Sequence, residues 1–169
     1  GSVFTDTVAL SYQANTYGVE SGLQLPLKFR LNGGYKYVDT DRRVRSITDP
    51  ALALPHNVDD IYTVDLKWSG FDFLTARVGY EYLDRSARYR NAASSANINR
   101  QFAYASQERD TFTAGVDISP LNTLNAGIEY QYKKTDYTKT AIGYTADKRQ
   151  GVNLNADYAF KRLARLYGY

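Results

Sequence analysis

The sequence of 169 residues contains no cysteine, no methionine and a single histidine. Without cysteine, the chain cannot form disulfides, use a thiol nucleophile or attach a c-type haem covalently. One histidine cannot supply a cluster of imidazole metal ligands. No apolar run approaches the ~20 residues that a membrane-spanning helix needs. The information therefore lies in how the apolar residues are distributed along the chain.

Charge of neither sign dominates. The 21 basic and 18 acidic residues are dispersed, and no basic stripe indicates a nucleic-acid partner. The opening Gly1-Ser2 is typical of a residual cloning linker, so the lack of a signal peptide says little about the compartment. The length suits one domain, residues 1–169.

The strongest signal is internal repetition. Each repeat is an alternating apolar run, a tight turn and a second run rich in tyrosine. Three repeats carry a Tyr-x-Tyr at the same stage, and the last ends in Tyr167 and Tyr169. The repeats are Gly22 to Val38, Val64 to Leu83, Gly115 to Tyr132 and Leu154 to Tyr169. Four hairpins predict an all-β, antiparallel, up-and-down barrel of about eight strands.

The alternation is clean enough to assign two faces to each strand. Leu74, Ala76 and Val78 oppose Thr75 and Arg77, for example. In a transmembrane barrel the apolar face meets lipid, and the polar face lines the interior. Tyrosines near the loops and glycines on the polar face favour this version over its alternative, a soluble ligand-binding barrel with the apolar face inward.

The transmembrane interpretation predicts two sets of residues. The charges expected in an ion-paired lumen are Lys28, Arg30, Lys36, Asp65, Lys67, Arg77, Glu81, Asp117, Glu129, Lys133 and Asp157. The aromatic girdle expected at the membrane interfaces is Tyr35, Tyr37, Trp68, Tyr80, Tyr82, Tyr130, Tyr132 and Tyr158.

Short turns alternate with longer polar stretches. The turns are expected near Leu25-Pro26-Leu27, Ser69-Gly70-Phe71, Ser119-Pro120-Leu121 and Ala159-Phe160-Lys161. The long stretches are Asp39 to Asp60, Asp84 to Asp110 and Lys133 to Gln150. Short periplasmic turns and long outer loops are typical of outer-membrane barrels. With this orientation both termini fall on the long-loop side, so we expect a fragment, a rearranged or an engineered piece of a larger barrel, unless the orientation is inverted.

Two segments leave alternatives open. The first alternates in opposite phases on either side of Asn15-Thr16, which fits one strand with a slip or two strands around a turn, and hence eight strands or nine. In the last strand, one register puts Leu163, Arg165, Tyr167 and Tyr169 on the apolar face. The other register puts Ala164, Leu166 and Gly168 there.

The Tyr-x-Tyr segments with their charged continuations carry a family resemblance. GGYKYVDTDR from Gly33, VGYEYLDRSARY from Val78 and AGIEYQYKKTDY from Ala126 resemble the MtrB/PioB type of outer-membrane barrel. In that family a large barrel sheaths a multihaem cytochrome and lets electrons cross the outer membrane. The resemblance implies this role, and the cytochrome partner, only for a full-length parent. An eight-stranded barrel is just wide enough for its own side chains.

No catalytic constellation is found in the sequence. His56 beside Asp59 or Asp60 could act as an acid-base group, but a solvated loop histidine is the simpler interpretation. We therefore predict a non-enzymatic, porin-like or structural barrel without cofactor or metal, monomeric in the outer membrane of a Gram-negative bacterium. Its partner is the lipid bilayer or detergent, and it conducts little if it closes at eight strands.

Overall fold

Eight β-strands follow one another along the chain in the computed structural model, which describes residues 10–44, 56–88, 105–138, 143–160 and 164–168. The strands are β1 (Leu10–Leu25), β2 (Phe29–Val44), β3 (His56–Phe71), β4 (Leu74–Arg88), β5 (Ser106–Leu121), β6 (Leu124–Thr138), β7 (Ala146–Phe160) and β8 (Ala164–Gly168). One turn of 3₁₀ helix, Pro26–Lys28, joins β1 to β2. In the described part of the chain, no helix is long and apolar enough to cross a membrane.

Each strand pairs antiparallel with the next in the order β1-β2-β3-β4-β5-β6-β7-β8. This confirms the predicted all-β, up-and-down architecture of four hairpins. The sheet is not closed on itself: among the described residues, β1 pairs only with β2, and β8 only with β7.

β1 is one unbroken strand, so the ninth strand and the slip at Asn15-Thr16 are both wrong. Its pairing with β2 runs from Leu10 opposite Val44 to Leu25 opposite Phe29 without a register shift. A slip would have moved half of the side chains to the opposite face and broken this ladder.

The hairpins of β3 and β5 contain the same irregularity. The register shifts between Trp68 and Phe71 in β3, and between Ile118 and Leu121 in β5. Two of the expected turns, at Ser69-Gly70-Phe71 and Ser119-Pro120-Leu121, are therefore bulged strand ends. A bulge accommodates Gly and Pro, which do not suit a regular ladder.

The actual turns of these two hairpins are shorter and lie further along the chain. Residues 72–73 and 122–123 connect their strands. The first turn lies at Pro26–Lys28, as predicted. The fourth expected turn begins inside β7, which continues to Phe160, and Lys161 lies outside the described residues.

Residues that lie opposite one another on neighbouring strands form rows across the sheet. One row joins Leu31 of β2, Leu66 of β3 and Val78 of β4. Its neighbour joins Arg30, Lys67 and Arg77. Because side chains alternate along each strand, one face of the sheet is apolar and the other is polar. We call them the apolar face and the polar face.

Large apolar side chains are exposed on the apolar face, whereas polar side chains are buried on the part of the polar face that lies towards the long connections. Val64, Leu66 and Ile128 on the apolar face are 44%, 38% and 50% exposed. Asp59 and Thr111 on the polar face are buried. This distribution contradicts the soluble alternative, whose apolar face would be the covered one.

The register of β8 settles the second open alternative. Leu166 lies opposite Tyr158, and Gly168 lies opposite Ala156. Ala164, Leu166 and Gly168 therefore belong to apolar-face rows, which puts Arg165 and Tyr167 in polar-face rows. Leu163 and Tyr169 lie outside the described residues.

Candidate functional site

An aromatic cluster lies on the apolar face near the short turns. The ring centroids of Phe29 and Trp68 are 6.2 Å apart, those of Trp68 and Phe71 are 5.7 Å apart, and those of Phe71 and Phe73 are 5.4 Å apart. The Trp68 indole Nε1 donates to the Leu27 carbonyl over 3.1 Å. This bond ties the end of β3 to the first turn.

A tyrosine cluster lies on the same face towards the long connections. Tyr35 and Tyr62 have ring centroids 5.1 Å apart, and those of Tyr62 and Tyr82 are 6.4 Å apart. Tyr62 and Trp68 are six residues apart in one strand, which corresponds to ~20 Å. This separation of the two clusters is similar to the ~25 Å apolar band of outer-membrane barrels.

The Tyr-x-Tyr repeat has a structural counterpart. The first tyrosine of each pair donates its hydroxyl proton to the next strand: Tyr35 to Asp60 over 2.5 Å, Tyr80 to Asp110 over 2.5 Å, and Tyr130 to Gln150 over 3.3 Å. In every case the acceptor is the residue opposite the second tyrosine. The repeat therefore fixes the same diagonal hydrogen bond between successive hairpins, at the strand pairs β2–β3, β4–β5 and β6–β7.

The residues predicted for the girdle separate into these two levels. Six of them, Tyr35, Tyr37, Tyr80, Tyr82, Tyr130 and Tyr132, lie in the rows towards the long connections, whereas Trp68 and Tyr158 lie at the turn end. Sequence reasoning missed Tyr17, Tyr62, Phe29 and Phe71, which contact them or one another. Tyr17, Phe29 and Tyr62 lie on the apolar side of the alternating runs and could have been included, whereas Phe71 follows a register shift that the alternation does not reveal.

Arginines hold the polar face together across neighbouring strands. The Arg77 guanidinium of β4 pairs with Asp117 of β5, and reaches Glu129 of β6 over 2.9 Å. Gly115 of β5 lies opposite Arg77 on one side and opposite Glu129 on the other. The lack of a side chain at Gly115 leaves the space through which the arginine crosses β5.

Two further pairs lie towards the long connections. Arg85 binds Asp59 with two hydrogen bonds, of 2.7 and 2.6 Å. Arg109 donates to Glu81 over 2.9 Å. Sequence reasoning found Glu81 but missed Asp59, Arg85 and Arg109, because the alternation was not followed past the tyrosine pairs.

The other predicted lumen charges have different surroundings. Lys28 lies in the first turn, 3.6 Å from the Asp72 carboxylate, and not in β2. Arg30 donates to the Asn32 side chain over 3.0 Å, and Asp157 lies opposite Asn125. Within the residues that the structure describes, no ion pair is formed by Lys36, Asp65, Lys67 or Lys133.

The predicted acid-base partners of His56, Asp59 or Asp60, are wrong. His56 is the first residue of β3, and its Nε2 lies 3.2 Å from Asp39 Oδ1. Asp59 is bound to Arg85, and Asp60 accepts from Tyr35. The described ranges contain no group of three or more His, Asp or Glu residues that could hold a metal ion.

Beyond the tyrosine rows the strands continue as polar chain. β2 extends to Val44 and β6 to Thr138. Here Lys134 donates to Asp136 over 2.5 Å, and this hydrogen bond raises the pKa of Lys134 above its ordinary value. The strands thus reach well past the apolar band before the chain turns.

Comparison with known proteins gives one family and several structures. The model of the family described as "Putative outer membrane beta-barrel porin, MtrB/PioB" matches residues 2–169. No curated protein sequence gives a match. Among solved structures, the fold is similar to OmpT, expressed in the outer membrane of Vibrio cholerae, with a TM-score of 0.60 and 14% identity over 93% of this chain. A loop L8 deletion mutant of that protein gives a TM-score of 0.57 and 14% identity over 94% of this chain.

The chain spans about two-fifths of the length of these solved proteins, 42% of the first and 39% of the second. At this identity the likeness concerns the fold alone. Together with the family match, it establishes a transmembrane β-barrel architecture and a location in the outer membrane of a Gram-negative bacterium, as the sequence predicts.

Proposed function

The chain belongs to the MtrB/PioB family of outer-membrane β-barrel porins, and we propose that it forms a wall segment whose apolar face contacts lipid and whose polar face lines the barrel interior. The observation that carries this proposal is the contrast between the two faces. Large apolar side chains such as Val64, Ile128 and Leu154 are exposed on one face. On the other, Arg77, Arg85 and Arg109 bind carboxylates.

The physical role of such a wall is to separate the lipid from the barrel interior. Exposed apolar side chains partition into the hydrocarbon, and strand pairing satisfies the backbone groups that lipid cannot hydrate. Aromatic side chains at both ends of the apolar band hold the wall at its depth. On the polar face, the arginines neutralise carboxylates of neighbouring strands.

For a full-length parent, we propose that the wall sheaths a multihaem cytochrome. The family resemblance supports this partner. The polar face supports it as well, because Arg77, Arg85 and Arg109 are paired with carboxylates of the chain itself. The chain's own part is to provide an insulating, polar-lined surface. Haem would belong to the partner, because this chain has no cysteine for covalent attachment.

By itself, the chain is proposed to be a non-enzymatic, monomeric barrel that requires lipid or detergent. If the eight strands close, side chains fill the interior, and planar bilayers should show no porin-sized conductance steps. A shift in gel mobility between unheated and boiled samples in SDS would report closure. Regular porin-sized steps from the monomer would contradict the proposed filled interior.

The orientation of the two faces is tested with adjacent residues of β3. Because the chain lacks cysteine, Leu66→Cys and Lys67→Cys each provide a single thiol for a spin label in liposomes. The Leu66 label should collide with oxygen dissolved in the lipid, and the Lys67 label with a polar nickel complex. The opposite result at both positions would refute the proposal.

A further inference from the structure

The tyrosine pairs of successive hairpins do not lie in the same row of the sheet. Tyr35 of β2 and Tyr62 of β3 share a row. The same row continues to Asp110 of β5 and Lys134 of β6. On β6 the first tyrosine of the pair is Tyr130, which lies four residues from Lys134 in the direction of the short turns. From β2 to β6 the Tyr-x-Tyr motif is therefore displaced by four residues across four strands.

This displacement is even along the sheet. In β4 the row of Tyr35 is occupied by Tyr82, the second tyrosine of its pair. The first tyrosine, Tyr80, lies two residues nearer the short turns. The motif thus moves by two residues for every two strands. A line through Tyr35, Tyr80 and Tyr130 crosses the rows obliquely, and we call it the tyrosine line.

Aromatic residues at the turn end show the same displacement independently of the Tyr-x-Tyr motif. Trp68 of β3 belongs to a row that reaches Leu154 of β7. The tyrosine of β7 at this end, Tyr158, lies four residues beyond Leu154, again in the direction of the short turns. A line from Trp68 to Tyr158 therefore also moves by four residues across four strands. It is parallel to the tyrosine line, and we call it the turn-end line.

Charged side chains on the apolar face follow these lines rather than the rows. The row of Tyr62 contains Asp110, Lys134 and Lys148. All three lie beyond the tyrosine line, on the side of the long connections. Between the two lines, the described residues on the apolar face of β2 to β7 are all uncharged. Since a charge that faces hydrocarbon is destabilising, the lines enclose the part of the sheet that can contact lipid chains.

We propose that the two surfaces of the hydrocarbon layer cross the sheet along the tyrosine line and the turn-end line, so that residues of one row lie at different depths. Four residues of a strand span about 14 Å, and four strand spacings span about 19 Å, which together correspond to a strand tilt of about 35°. Transmembrane barrels have tilts of roughly 35–45°. The lipid headgroup layer then contacts Asp110, Lys134 and Lys148, whereas Tyr62 of the same row lies at the hydrocarbon boundary.

The diagonal tyrosine bond connects the two layers in this arrangement. Its donor, for example Tyr80, lies on the tyrosine line, and its acceptor, Asp110, lies beyond the line among the headgroups. The phenol hydroxyl is thus hydrogen-bonded at the depth where the hydrocarbon ends. The carboxylate remains in a hydrated layer, where its charge costs little.

This inference rests on the proposed function, because it requires the apolar face to contact lipid. It deepens that function by giving individual residues a depth in the membrane. Three apolar-face positions distinguish a tilted sheet from an upright one. Leu66 of β3 and Val152 of β7 share a row. Leu66 and Ala156 instead share a distance from the turn-end line, two residues before Trp68 and two before Tyr158.

The test is a depth measurement with spin labels in liposomes. Leu66→Cys, Val152→Cys and Ala156→Cys each provide the single thiol of the chain, and collisions with oxygen and with a polar nickel complex report the depth of each label. We expect the labels at Leu66 and Ala156 to have the same depth, and the label at Val152 to lie about 11 Å nearer the headgroups.

The possible failures can be distinguished. If the labels at Leu66 and Val152 have the same depth, or if Val152 is the deeper one, the oblique boundary is overturned while the apolar face still contacts lipid. If all three labels collide with the nickel complex and not with oxygen, the proposed function fails, and this inference fails with it.

Lysine substitutions provide a second measurement that does not depend on labels. Leu66→Lys and Ala156→Lys place a charge inside the hydrocarbon, whereas the ammonium group of Val152→Lys can reach the headgroups. Relative to methionine at the same position, lysine should lower the folding equilibrium constant in vesicles about thirtyfold more at Leu66 and Ala156 than at Val152. Equal losses at Leu66 and Val152 would overturn the proposal.

Discussion

Arg77 crosses Gly115. An added Cβ on Gly115 would stand 3.1 Å from both the Cζ and the Nε of the Arg77 guanidinium group. The arginine can therefore lie against the backbone of β5 and extend to Glu129 on β6. A glycine in one strand thus permits a side chain from a second strand to bind a third.

We expect Gly115→Val to displace Arg77 and break its bond to Glu129. The free energy of unfolding in urea should fall by about 1–2 kcal/mol, the range for a charged hydrogen bond with partial exposure. Gly151→Val is the matched control, because an added Cβ there meets nothing within 4 Å. Equal destabilisation by both substitutions would contradict the crossing role of Gly115.

The Arg85–Asp59 pair should be more sensitive than the other ion pairs. Its side chains are only 22% and 10% exposed, so Arg85→Met would leave a buried carboxylate without its partner and cost about 3 kcal/mol. Arg149→Met breaks an exposed pair, with Arg149 71% exposed, and should cost less than about 0.5 kcal/mol. Urea unfolding of both variants measures the difference, and similar values would refute the ranking.

Substitution of Tyr80 by phenylalanine tests the repeated diagonal bond. Tyr80→Phe removes the hydroxyl that donates to Asp110 and should lower the free energy of unfolding by about 1 kcal/mol. Tyr82→Phe is the control, since no hydrogen bond of the Tyr82 hydroxyl is found among the described residues. If Tyr82→Phe lowers the free energy of unfolding as much as Tyr80→Phe does, the effect does not come from the lost hydrogen bond to Asp110.

Gly70→Ala should move the single tryptophan of the sequence. The Trp68 indole lies against Gly70, in the space that an added Cβ would occupy, and it donates to Leu27 from there. We expect a shifted Trp68 emission maximum and a weaker link to the first turn. An unchanged emission spectrum in folded Gly70→Ala would show that the indole does not depend on this space.

The Lys134 ammonium should respond to its neighbour on β6. The hydrogen bond to Asp136 raises the Lys134 pKa, so Asp136→Asn should lower it towards the ordinary lysine value. The stabilisation from this pair is present below the unfolded-state pKa, and is lost as the pH rises through the folded-state pKa. An NMR titration of the lysine side chain that shows no downward shift would contradict the assignment.

Much of the fold could be predicted because alternation constrains a strand wherever one face meets lipid. Within the apolar band, between Trp68 and Tyr62 for example, the sequence assigns every residue to its correct face. Beyond the band both faces are polar, so the alternation no longer shows which residues share a face. This explains why Tyr12 and Ala14, in the far part of β1, suggested a slip that the pairing excludes.

Turns and ion pairs were harder to predict, for different reasons. Gly70 and Pro120 mark both turns and bulges, and only the pairing of Trp68 and Ile118 shows that the strands continue past them. The individual ion pairs depend on side-chain reach across strands. Sequence placed Arg77 and Glu129 on one face, but their contact over an intervening strand requires the register.

The matching bulges near the ends of β3 and β5 have a consequence for how the wall can vary in width. Both shifts occur immediately before a two-residue turn, so each hairpin leaves its turn with the same face towards lipid. A hairpin copied in full therefore joins its neighbours without exchanging the two faces. The circumference can then grow in steps of two strands, and each copied hairpin brings its own tyrosine bond at the end away from the turn.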